Sequence, residues 1–156
     1  MLFRSELSPY YSASLGNIQS ALKRLCLLGY CSLEKGVVNG RKKNAYQITD
    51  QGRQYFLEQM EREYTDAKFE AESSTRLFFL GLVPKENRLR IVKQTLLFIN
   101  TKIELFEREK SEEVKKEVRK EYEEIVKFQL KCLNYEWAQC MEAKAFYQTL
   151  LNELEE

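Results

Sequence analysis

The chain has 156 residues, 44% hydrophobic and 31% charged, which excludes a disordered polymer and leaves room for one domain, or a small domain with a helical appendage. It contains no histidine, so the commonest general base and the commonest metal ligand are both missing. The net charge of +1 divides unevenly: residues 1–60 carry 8 Lys and Arg against 4 Asp and Glu, and the remainder 17 against 20. A basic head on a slightly acidic body points to an anionic partner for the head alone.

The four cysteines, Cys26, Cys31, Cys132 and Cys140, form no CxxC pair and have no histidine to complete a zinc site. Cys26, Cys31 and Cys132 sit in apolar surroundings, where a free thiol behaves as a small hydrophobe. Arg4 and Glu6 interrupt any signal-peptide core, and the longest apolar run, 77–83, falls far short of the roughly 20 residues a membrane helix needs. Glutamates recur among Lys and Arg at the spacing of solvated i,i+4 pairs. The expectation is a cytoplasmic protein with no catalytic residue, no metal, no cofactor and no membrane contact.

From Ser14 onward, Leu15, Ile18, Leu22 and Leu25 follow steps of three and four, one face of an amphipathic helix. Ser14 suits the N-cap and Gly29 a left-handed C-cap, so a helix is predicted over 15–28. Its other face carries Asn17, Gln19, Ser20, Lys23 and Arg24. A strand is expected over 30–35, with Leu33 pointing inward, then a Gly/Asn-rich loop over 36–44 and a second strand over 45–49. Thr49 then caps a helix beginning at Asp50.

Helix, hairpin, helix is the order of a winged helix-turn-helix, with Arg41, Lys42 and Lys43 gathered near the hairpin tip. A capped helix can enter the major groove N-terminus first and offer Asn17, Gln19, Ser20 and Lys23 to base edges. Tyr11, Ser12 and Ser14 fall where the helix start approaches the DNA backbone. The three wing cations suit phosphate contacts.

These residues resemble the PadR-type transcriptional regulators. The likeness rests on the run Tyr11-Ser12-Ala13-Ser14-Leu15-Gly16-Asn17-Ile18, then Ala21-Leu22-Lys23-Arg24-Leu25 and Gly29, then Gly40-Arg41-Lys42-Lys43, Tyr46-Gln47-Ile48-Thr49 and Gly52. It covers nearly all of residues 8–56 and continues loosely through Leu77-Phe78-Phe79. The resemblance implies a dimeric repressor, a winged-helix head, a helical C-terminal half and, in some members, a response to small aromatic compounds. Gln19-Ser20 stands where members often have Tyr-Pro. Only 13 residues precede Ser14, so the pattern predicts an incomplete winged helix whose apolar face is covered by body helices or a second subunit.

The helix from Asp50 is expected to run past Tyr64 to a break at Ser73-Ser74. A short apolar helix over 75–82 follows, then one opened by Pro84 with a stripe of Leu89, Val92, Leu96, Ile99, Ile103 and Phe106. Ser111 marks the expected start of a last helix of about 44 residues, roughly 65 Å long. Val126, Leu130, Leu133, Trp137, Cys140, Tyr147, Leu151 and Leu154 fit an a/d heptad suited to dimerisation. Tyr122, Ile125, Phe146 and Leu150 form a second stripe.

The fold expectation is therefore mainly α with a small β-hairpin: a winged-helix head over 1–60 and a long-helix dimerisation domain over 61–156. The functional expectation is a homodimer that binds an inverted-repeat, double-stranded operator, with an aromatic effector pocket near Trp137 as a further partner site. Two alternatives remain open at this point, a winged helix used for protein contacts and a helical dimer that binds a small molecule.

Overall fold

The computed structural model describes residues 15–38, 41–113 and 118–156. These divide into two compact units between Gln59 and Met60. The first unit opens with α1 (Leu15–Leu27), whose end is set by Gly29 at φ +77°. Tyr30 N–H donates to the Leu25 carbonyl at 2.9 Å and Gly29 N–H to that of Cys26 at 3.1 Å. That is the Schellman pairing, which needs a left-handed residue where glycine stands.

Strands β1 (Cys31–Val38) and β2 (Arg41–Ile48) pair antiparallel, from Cys31 opposite Ile48 to Val38 opposite Arg41. They are longer than expected. β-Branched Val37 and Val38 extend β1 beyond Gly36, so 36–38 and 41–44 are strand rather than loop. Leu33, expected to point inward, is 39% exposed.

Helix α2 (Asp50–Glu61) begins as the cap rule predicts, because Thr49 Oγ1 accepts the Gly52 N–H at 3.0 Å. The same hydroxyl donates to the Gly29 carbonyl at 2.7 Å, and Thr49 N–H donates to that of Tyr30 at 3.1 Å. One side chain thus joins the end of α1 to the start of α2. A Cβ on Gly52 would lie 2.0 Å from the Tyr30 carbonyl oxygen, so only glycine fits this crossing. The Tyr30 and Tyr55 rings stack beside it with centroids 4.2 Å apart.

The second unit departs further from expectation. α2 stops at Glu61, a 3-10 turn covers Asp66–Lys68, and α3 (Phe69–Phe79) runs straight through Ser73 and Ser74. The break falls at Tyr64, which is buried; its ring meets Phe69 and Phe98, and its hydroxyl bonds Thr95 Oγ1 at 2.8 Å. Tertiary burial overrides the local pattern there. After a 3-10 turn at Leu80–Leu82, α4 (Lys85–Glu113) starts on Pro84, whose carbonyl accepts from Asn87 and Arg88. Val92, Leu96, Ile99 and Ile103 are buried along its expected stripe, with Ile99 at 0% exposure.

Ser111 does not start a helix. It lies inside α4 and its hydroxyl donates to the Arg108 carbonyl at 2.8 Å. The last helix, α5 (Glu123–Glu155), has 33 residues, about 50 Å at 1.5 Å per residue. It is shorter than expected because Arg119 is extended (ψ 140°) before a 3-10 turn at Lys120–Tyr122. α5 packs along α4 with Cys140, Tyr147 and Leu151 buried in the chain's own core. No described helix is long and apolar enough to cross a membrane.

Candidate nucleic-acid interface

In the first unit, Asn17, Gln19, Ser20, Lys23 and Arg24 are all exposed on α1. The Schellman turn fixes the end of this helix, and the Thr49 bridge fixes that turn against α2, so the polar face is presented by a hydrogen-bonded frame. Of the apolar face, Ile18 is 45% exposed, whereas Leu22 and Leu25 are half-buried.

The register places Arg41 opposite Val38, Lys42 opposite Val37 and Lys43 opposite Gly36. The three cations expected in a loop are thus consecutive strand residues at the outer end of the hairpin. Tyr11, Ser12 and Ser14 lie outside the described residues. Among the exposed cations of the same unit that were absent from the expected groove and phosphate contacts are Arg24 in the last turn of α1 and Lys35 opposite Asn44. The signal for both was their sign alone, in a head with twice as many cations as anions.

This arrangement is suited to a polyanion. Its hydroxyl and amide groups suit base edges, and its cations suit phosphates. Among the described residues no cluster of His, Cys, Asp and Glu has metal-site geometry.

A different site lies wholly within the second unit. An open cavity of about 480 Å³ is lined by Phe69, Ser73, Leu77, Lys102, Phe146 and Tyr147, among others. Burial pushes the Tyr147 hydroxyl up to about 12, and that hydroxyl donates to the Ser73 carbonyl at 3.2 Å. Trp137, around which a pocket was expected, instead packs on α4. Its indole N–H reaches Glu107 at 3.4 Å, and Lys110 Nζ lies 4.4 Å from its ring. The cavity begins at Glu136 and continues one to three turns further along α5.

The remaining proposed dimer residues also have intramolecular surroundings. Cys140, Tyr147 and Leu151 are buried, and Val126, Leu130, Leu133, Trp137 and Leu154 are half-buried. The outward face of α5 is carried by Ile125, Phe128, Tyr135 and Phe146, preceded by exposed Tyr122 at its N-cap, with Phe128 and Tyr135 about 60% exposed.

Helix, two-stranded wing and capped second helix define the head as a winged helix, and residues 2–62 match the family model of a winged helix DNA-binding domain. No curated protein matches the chain. Among solved structures it is similar to Bacillus subtilis PadR in complex with p-coumaric acid, at 16% identity and TM-score 0.47 over 97% of this chain and 82% of that one. The same protein in complex with operator DNA gives 16% identity and TM-score 0.43, covering 97% and 84%. A further structure of that PadR gives 17% and 0.44, covering 99% and 83%.

Proposed function

We propose that this protein is a cytoplasmic, dimeric, PadR-type transcriptional repressor that binds an inverted-repeat operator. The observation that carries the reading is the exposed face of α1, where Asn17, Gln19, Ser20 and Lys23 stand in one unit with the cationic strand Arg41–Lys42–Lys43. In this reading the α1 residues meet base edges in the major groove, Tyr11, Ser12 and Ser14 approach the backbone, and the wing cations hold phosphates. Repression needs no chemistry, only occupancy of DNA that polymerase requires.

Selection of bound sequences from a random duplex pool tests this. The expected result is a palindrome with half-sites about 34 Å apart, bound with steep salt dependence. A chain that enriches no sequence and binds no duplex at low salt is not a DNA-binding regulator.

Dimerisation is assigned to α5. Truncation before Val126 would delete the buried Cys140, Tyr147 and Leu151, so a gentler test is needed. Exposed aromatic and aliphatic residues in a row on one helix mark an association surface. The double variant Ile125→Glu and Phe128→Glu should sediment as a monomer with the fold intact. A dimer that survives it places the interface elsewhere.

The cavity beside Phe69, Phe146 and Tyr147 is the place proposed for a small aromatic effector. Aromatic rings of the wall can stack on such a ligand, and the Lys102 ammonium at its edge can meet an acidic group. Titration with a panel of aromatic acids should raise the melting temperature, and Phe146→Ala should abolish the rise. No shift with any member removes the effector from the reading.

A further inference from the structure

The Schellman turn that ends α1 also brings two thiols together. Cys26 Sγ and Cys31 Sγ lie 2.7 Å apart, both half-buried, and Cys31 Sγ additionally reaches the Leu22 carbonyl at 3.6 Å. A disulfide needs about 2.05 Å between sulfurs, so bond formation asks for a closing motion of under about 1 Å. The other two cysteines are unlike this pair. Cys132 is exposed and Cys140 buried on α5, eight residues and therefore about 12 Å apart along one helix, beyond disulfide reach.

We propose that Cys26 and Cys31 form a reversible two-electron redox site, oxidised by peroxide to a disulfide that ties the end of α1 to the first residue of the wing. Disulfides in reducing compartments are typically transient and regulatory rather than structural, which suits a pair of free thiols within about 1 Å of bonding distance. The site stands on the geometry of the two thiols and does not depend on the DNA-binding reading.

The order of steps follows from the shared proton. The hydrogen bond to Cys26, with burial adding to it, pushes the Cys31 thiol up to about 11. That makes Cys31 the poorer nucleophile of the pair, so the first attack is assigned to Cys26. The Cys26 thiolate attacks one peroxide oxygen; an S–O bond forms, the O–O bond breaks, and the departing hydroxide takes a proton to become water. Cys26 is then a sulfenic acid. Cys31 Sγ attacks that sulfur, the S–S bond forms, the S–O bond breaks, and the Cys31 proton leaves with the hydroxide as a second water. Two thiols and one peroxide give one disulfide and two waters, with two electrons passing from sulfur to oxygen.

Trypsin makes the test direct, because no Lys or Arg lies between Arg24 and Lys35 and both thiols fall in one peptide, 25–35. The reduced full-length chain is treated with hydrogen peroxide, blocked with iodoacetamide, digested and weighed. The expected product is peptide 25–35 lighter by two hydrogens and carrying no alkyl groups, with both alkylation sites restored by dithiothreitol. In Cys31→Ser, dimedone should trap a sulfenic acid on Cys26, whereas Cys26→Ser should react at least tenfold more slowly. The proposal is overturned if peptide 25–35 remains doubly alkylated after peroxide, if it ends as sulfinic acid, or if the bridge joins two chains. Every readout is of the protein alone, so failure of operator binding leaves the test intact.

Discussion

The two units are held together by different means. Every buried apolar side chain among the described residues belongs to 60–156, where Val83, Ile91, Val92 and Ile99 are at most 2% exposed. In the described part of the head only Gly52 is buried, and apolar residues such as Leu27, at 88% exposure, stand in water. The head's geometry rests on joints instead: the Schellman turn at Gly29, the Thr49 bridge, the Gly52 crossing and the Tyr30–Tyr55 stack. A surface that must present polar groups to a partner cannot also bury them. Specificity of shape is supplied there by hydrogen bonds, while apolar burial is concentrated in the body.

The largest test of that contrast is Ile99→Ala. Removing a fully buried side chain should destabilise the body by about 2–5 kcal/mol. Hydrogen exchange should accelerate across α4 and α5 far more than in the hairpin. Equal acceleration in both units would mean that the head unfolds only with the body.

Gly52→Ala should act in the opposite place. Its Cβ meets backbone rather than a flexible side-chain end, so the helix crossing must shift, at about 1–3 kcal/mol. Exchange should rise over 29–31 and 49–55, with the α4 core unchanged. Protection kept in both segments would show that the joint is dispensable.

A smaller effect sharpens the account of the body. Tyr147→Phe should cost about 1 kcal/mol at neutral pH by leaving the Ser73 carbonyl without that partner. Burial raises the native Tyr147 hydroxyl from its ordinary 10 to about 12, so the unfolded chain loses that proton first as the solution turns alkaline. The native protein should therefore lose stability from about pH 10 to 12, and the Phe variant should lack that share of the loss. Denaturant titrations across this range read the difference.

The smallest effect on stability should be the most informative about function. Replacing Arg41, Lys42 and Lys43 by Ala should change the unfolding free energy by less than about 0.5 kcal/mol per substitution. The log–log salt dependence of DNA binding should flatten by about 0.9 per lost phosphate contact. A slope that stays unchanged removes the wing from the phosphate-binding surface.

How much of this was legible in the sequence depended on whether local chemistry or distant packing set each boundary. Gly29 and Thr49 announce their roles locally, and the observed ends of α1 and start of α2 fall within a residue of the expected ones. The stripe on α4 was equally plain, because Val92, Leu96, Ile99 and Ile103 keep helical period. The α2–α3 break was not visible, since it contains no glycine or proline and is set by Tyr64 seeking Thr95 and Phe98 from another helix. Serine misled at both ends: Ser73 and Ser111 bond the carbonyls of Glu70 and Arg108 within their own helices rather than capping new ones. In the candidate interface, residue type identified the polar face of α1. The strand placement of Arg41–Lys43 required the register.

That register has a mechanical consequence. The sheet formed by the described strands has only two members of eight residues each, so it extends about 27 Å at 3.4 Å per residue. A two-stranded ribbon is marginally stable alone and twists more freely than a wider sheet. Anchored at its base beside Thr49 and loaded with charge at its far end, the wing is a compliant lever. If the wing cations hold phosphates as proposed, small bending at the root would move them by ångströms at the tip and let them follow a backbone whose groove width varies with sequence, while α1 kept its own register.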